Sequence, residues 1–131
     1  MKICVASVSG NLDALVDPRF GRCQYFMIVD SESMQFESVP NLAVNSGGGA
    51  GIQAAQTIAS KNVQVLITGN VGPKAFQALS AAGIDIITGA SGTVRAVIEK
   101  YKQGLFSETK APTVGEHFGM KTSKGQDRKS E

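Results

Sequence analysis

The chain has 131 residues and 42% hydrophobic content, a length and balance that suit one domain with a core of its own. Thirteen basic against 11 acidic residues leave a net charge of +2, which excludes the strongly basic signature of a nucleic-acid or membrane-surface binder. No apolar run reaches the ~20 residues needed to cross a bilayer, and Met1-Lys2-Ile3 leads straight into a strand-like segment, so a cytoplasmic protein without a cleaved leader is expected.

KICVASV (2–8) is apolar and rich in β-branched residues and reads as a buried first strand. SGNLDALVDPRFGR is polar and turn-rich, a loop. QYFMIVD (24–30) and MQFESVP (34–40) read as a hairpin of second and third strands, ended by Pro40. NLAVNSGGGAG is a flexible connection, and GIQAAQTIASKN (51–62) carries small and apolar residues at helical spacing. VQVLITG (63–69) is the fourth strand. GPKAFQALSAAG is a helix with Pro73 in its first turn and Gly83 as its stop. IDIITG (84–89) is the fifth strand and GTVRAVIEKYKQG (92–104) the third helix.

The second half therefore reads β-α-β-α-β-α. Right-handed crossovers would set the fourth and fifth strands parallel to a central strand. With the hairpin this gives an α/β fold, a mixed five-stranded sheet with helices on its faces. From Ser107 the chain turns polar and aperiodic, so residues 1–106 read as the domain and 107–131 as a mobile tail. Within the tail, VGEHFGM has the apolar content to dock.

Three strand-to-helix turns are glycine-rich: NSGGGAG with Gly48, Gly49 and Gly51; TGNVGPK with Gly69, Asn70 and Gly72; and TGASGTV with Gly89 and Gly92. A helix start exposes unpaired N–H groups and a partial positive charge, and glycines let a ligand approach the backbone. Aligned on one sheet edge, the three turns would build an anion-friendly rim. Packing and turn chemistry alone also account for such glycines. None is a P-loop, since no Gly-Lys-Ser/Thr follows, and no dinucleotide fingerprint is present.

VDPRFGRCQYF (16–26) is the most distinctive stretch. Arg19 and Arg22 flank Phe20-Gly21 and offer donor forks to an anion. Cys23 stands beside them, where positive charge would favour the thiolate. In the plainer reading Phe20 plugs the core, the arginines are solvated and Cys23 is a small strand residue. Cys4 and Cys23 do not make a zinc spacing, and the lone histidine, His117, lies in the tail.

The Phe-Gly-Arg loop, the glycine-rich segment before the first helix and Gly-x-x-Gly-Pro-Lys-Ala before the second resemble the dinitrogenase iron–molybdenum cofactor-biosynthesis family, from Met1 to about Leu105. That family includes nitrogenase accessory proteins. The resemblance implies a ribonuclease-H-like three-layer α/β/α arrangement. It also implies non-covalent binding of a preformed iron–molybdenum or other metal–sulfur cluster, passed between donor and acceptor proteins. Many members carry histidine at the position of Arg19, so that ligand is missing here. Cys23 could supply a thiolate to iron–sulfur material, with His117 and Met120 as a further soft-metal handle. One cysteine per chain is too few for a four-cysteine cluster, which leaves a preformed cluster or a homodimer interface.

The same rim, with Lys74 in reach, would serve a small phosphorylated or otherwise anionic metabolite without metal. An enzyme is not expected: a two-metal nuclease needs converging carboxylates, and Asp13, Asp17 and Asp30 qualify by position only. No Ser/His/Asp or Cys/His arrangement has supporting spacing.

Overall fold

The computed structural model describes residues 1–44 and 48–114. Within them, five strands form one sheet: β1 (Lys2–Ser7), β2 (Tyr25–Asp30), β3 (Phe36–Pro40), β4 (Val65–Ile67) and β5 (Asp85–Ile87). Helix α1 (Ala50–Ala59) follows β3, α2 (Pro73–Ala81) follows β4 and α3 (Val94–Lys102) follows β5.

The spatial order is β3-β2-β1-β4-β5. β2 runs antiparallel to both β1 and β3, whereas β4 is parallel to β1 and β5 parallel to β4. Ser7, Tyr25 and Pro40 stand side by side in the register, so β1 and β3 end at the same margin. The carboxyl ends of four strands therefore share one edge, and all three helices start from it. The mixed sheet with parallel fourth and fifth strands, expected from the sequence, is the one that forms.

The central strands are apolar on both faces because helices cover both. Cys4 and Ala6 of β1 face a core that includes Phe20, Ile58 and Leu79, under α1 and α2. Ile3 and Val5 face a second core with Met27, Val97 and Ile98, under α3. Alternate residues of a strand point to opposite faces, so an unbroken apolar run is what a strand buried on both sides requires.

The elements are shorter than the sequence patterns suggest. Thr68 and Gly69, read as strand, lie in the turn after β4. α1 stops at Ala59, and Asn62 takes a left-handed φ of 62° on the way to β4. Met34, read as the start of the third strand, has φ 63° and belongs to the hairpin turn.

The stretch from Ser107 to Val114, expected to hang free, is docked. The Thr109 N–H donates to Ile86 O on the open edge of β5 (2.7 Å), and its hydroxyl lies 2.7 Å from that of Thr88. The Thr113 N–H donates to Val71 O (2.9 Å) while the Val71 N–H donates to the Thr113 hydroxyl (2.9 Å). An edge strand with unpaired backbone groups recruits a partner wherever one is within reach. Residues past the boundary expected at 106 are thus bonded to the sheet edge and to the turn after β4. VGEHFGM, apart from Val114, lies outside the described residues.

Candidate functional site

The loop after β1 crosses the shared edge of the sheet and is tied to it at each step. The Asp17 N–H donates to Ala6 O (2.8 Å), and the buried Thr68 hydroxyl donates to Asp17 O (3.1 Å). Arg19 pairs with Asn70 in parallel register, and the Phe20 N–H donates to Asn70 O (3.4 Å). The Phe-Gly-Arg stretch then forms a single 3-10 turn, Phe20–Arg22. Phe20 is 2% exposed and packs on Phe26 at 5.8 Å between ring centres, so it anchors the loop from below.

Two turn glycines read as open to a ligand, Gly51 and Gly69, are approached by protein, and so is Gly21 of the Phe-Gly-Arg loop. A Cβ on Gly21 would stand 2.9 Å from the Gly51 backbone, and one on Gly51 would stand 3.0 Å from the Ala75 Cβ. A Cβ on Gly69 would come within 2.6 Å of the Pro18 Cα. Gly21, Gly51 and Gly69 therefore let the Phe-Gly-Arg loop, the start of α1 and the start of α2 stack without side chains between them. Among the described residues, nothing lies within 4 Å of a Cβ placed on Gly48, Gly49, Gly89 or Gly92.

The three helix starts are not equivalent. α1 begins at Gly49 with no side-chain cap and no acidic residue in its first turn. No described residue accepts from the Ala50, Gly51 or Ile52 N–H. α2 begins at Gly72, also without a side-chain cap, and Pro73 has no N–H to offer. α3 starts under the opposite face of the sheet, and its amides are consumed. The Val94 N–H donates to Ala14 O (2.9 Å), Arg95 N–H to Leu12 O (2.8 Å) and Ala96 N–H to the Thr93 hydroxyl (3.0 Å). The convergence of three turns expected from the sequence is therefore a convergence of two. The turn with Gly89 and Gly92 serves the loop after β1.

The side chains divide in the same way. Arg19 is exposed at the rim, its Nε 3.5 Å from the Asp17 carboxylate. Arg22 is half-buried and donates through Nη1 to Val44 O (3.2 Å). Val44 belongs to a turn organised by Asn41, a buried residue that sequence reasoning missed. Its amide donates to Gly21 O (3.1 Å) and Cys23 O (2.9 Å), and its Oδ1 accepts from the Ala43 N–H (3.1 Å). Nothing local to Asn41 announces these bonds, because both carbonyls it binds lie about 20 residues earlier in the chain.

Cys23 corrects a second expectation. It is fully buried, and burial pushes its thiol up to about 12, with the Asp17 carboxylate adding to the rise. The site favours the thiol, not a thiolate. Cys4 is buried in the same core and raised for the same reason. Asp13 is exposed and pairs with Arg95 at 3.2 Å. Asp30 sits at the hairpin, where the Glu32 and Ser33 N–H groups hold its carboxyl below the usual range. These two and Asp17 do not converge, and among the described residues no group of three or more His, Cys, Asp or Glu could hold a metal ion. His117 and Met120 lie outside the described residues.

The family model described as dinitrogenase iron–molybdenum cofactor matches residues 1–104. The chain belongs to that family. An uncharacterised protein of Methanocaldococcus jannaschii is 34% identical over 92 residues, which cover 68% of this chain and 78% of its own. The apo form of the orange protein from Desulfovibrio gigas superposes with a TM-score of 0.85 at 43% identity, covering 86% of this chain and 96% of its own. A Thermotoga NifB-like protein of the DUF35 family gives a TM-score of 0.72 at 36% identity, covering 82% of this chain and 91% of its own. Membership bears on a cofactor-related binding role, and the donor set sets its terms. With both cysteines buried as thiols, the described residues of the rim offer guanidinium, amide and backbone N–H donors and no group of three or more metal ligands.

Proposed function

We propose that this chain binds a preformed anionic metal–sulfur cluster, iron–molybdenum cofactor-like or a precursor, as cargo. It receives the cluster from one protein and releases it to another in the cytoplasm, without catalysing a reaction. The observation that carries the reading is the direct stacking of the Phe-Gly-Arg loop on the start of α1, whose first amides no described residue accepts from, beside the paired Arg19 and Asn70. Helix-start amides and arginine forks attract diffuse negative charge, and they do so without a covalent bond, which suits a cargo that must leave again. A relative described as an apo form supports a loaded state in the family. We also read the strand order 3-2-1-4-5, with the second strand reversed, as the ribonuclease-H-like layering that the resemblance implies.

The test is anaerobic titration with tetrathiomolybdate, a soluble molybdenum–sulfide dianion, followed by desalting and absorption of the sulfide-to-metal band. Wild type and Cys23→Ala are expected to retain the band alike. Arg19→Ala should weaken binding about 10- to 100-fold, the loss of a charge-assisted hydrogen bond worth ~1.5–3 kcal/mol. Dependence on Cys23, or no retention by any of the proteins, would sink the proposal. Retention of phosphate but not of sulfide anions would hand the rim to a small anionic metabolite. Gel filtration of the loaded protein separates one chain from a homodimer sharing the cargo.

A further inference from the structure

Asp17 is a carboxylate at the rim, and its side chain is only 3% exposed. It is fixed from three directions. Its N–H is bonded to Ala6 O at 2.8 Å, its carbonyl accepts from the Thr68 hydroxyl at 3.1 Å, and the next residue, Pro18, abuts the Gly69 backbone. A buried charge is expensive unless a partner offsets it. The partner is Arg19, whose main-chain N–H donates to Asp17 Oδ1 at 3.0 Å and whose Nε faces the same oxygen at 3.5 Å. No described residue takes the two terminal nitrogens of Arg19, and none donates to Asp17 Oδ2. Arg22 differs: one of its terminal nitrogens is committed to Val44 O.

We propose that Asp17 is the positioning residue for Arg19. It grips the backbone N–H and the Nε so that the terminal fork faces outward, ready for an anion, while Arg22 fastens the loop. The inference rests on the anion-binding reading above and names the arginine that meets the cargo. Its physical content is preorganisation. An arginine side chain gives up rotamer freedom when it is ordered, and a residue that orders it in advance spares the complex that loss.

The experiment uses the full chain and two readouts. The first is the ¹⁵N resonance of the Arg19 Nε–H, assigned by its disappearance in Arg19→Lys. It should stand apart from solvated arginines in wild type and in Asp17→Asn, which keeps the Oδ1 acceptor, and merge with them in Asp17→Ala. The second is tetrathiomolybdate affinity. Asp17→Ala should bind about tenfold more weakly, the fold-change equivalent of ~1.4 kcal/mol. Asp17→Asn should stay within about threefold of wild type. Asp17→Ala should cost nothing further in an Arg19→Ala background, a silence that a merely structural role would not produce. Asp17→Ser, whose hydroxyl still reaches the Arg19 N–H but stops short of Nε, replaces Asp17→Ala if the latter does not fold. An Nε–H signal indifferent to Asp17→Ala overturns the proposal. Tighter binding by Asp17→Asn than by wild type also overturns it, because Asp17 would then be competing with the anion for Arg19. Wild type that binds no anion while the Nε–H signal responds as described sinks the cargo reading and leaves the positioning role standing.

Discussion

Cys23 follows Arg22 directly in the chain, yet its thiol lies in the core with Asp17 as its nearby charge. Native protein should therefore resist thiol reagents at pH 8, both thiols appearing only in denaturant; prompt labelling of the native chain would contradict the burial. Because the folded state holds the Cys23 proton up to about 12 against an ordinary 9.0, this preference is fully felt below pH 9. It is lost as pH climbs through that window. Urea midpoints should accordingly fall between pH 9 and 12, less steeply in Cys23→Ala. Gly21 shows the same primacy of three-dimensional neighbours. An added methyl meets backbone, not a flexible side chain, at 2.9 Å. Gly21→Ala should destabilise by about 1–3 kcal/mol, the usual cost of overpacking, measured by urea unfolding; a neutral result would mean that the loop and α1 separate freely.

At the scale of elements, the docked segment offers the sharpest check. Thr113→Val keeps shape but leaves the Val71 N–H without its hydroxyl acceptor, which should cost about 1–2 kcal/mol and speed hydrogen exchange at Val71. Unchanged exchange there would mean that the segment does not hold the turn. Strands and helices were legible because their patterns are local: Ile3 and Val5 against Cys4 and Ala6, or Pro73 and Gly83 bracketing α2. The docking of Thr109 was not, since it depends on the bare edge of β5 far away in sequence. The same limit hid the fate of the first two α3 amides, which go to carbonyls about 80 residues earlier in the chain. The turn glycines signalled close approach at Gly51 and Gly69, but the sequence could not say whether ligand or protein does the approaching. Asn41 was silent for a related reason: an isolated asparagine after a proline gives no hint that it will bind two distant carbonyls.

For the whole molecule, one sheet is the common wall of two cores, with β1 and β4 contributing to both. Neither core can dissolve alone without stripping the other of its wall, so unfolding by urea should be a single transition with coincident far-ultraviolet and tyrosine signals. Separated transitions would mean that the α3 side opens independently. The sheet also has a direction. The Met1 carbonyl is bonded to the Ser31 N–H at the amino end of β1, and the rim stands at its carboxyl end, six residues or about 20 Å away. A solid support, dye or fusion attached through the first residue therefore grips the pole opposite the arginines, leaving them turned toward whatever approaches from solution.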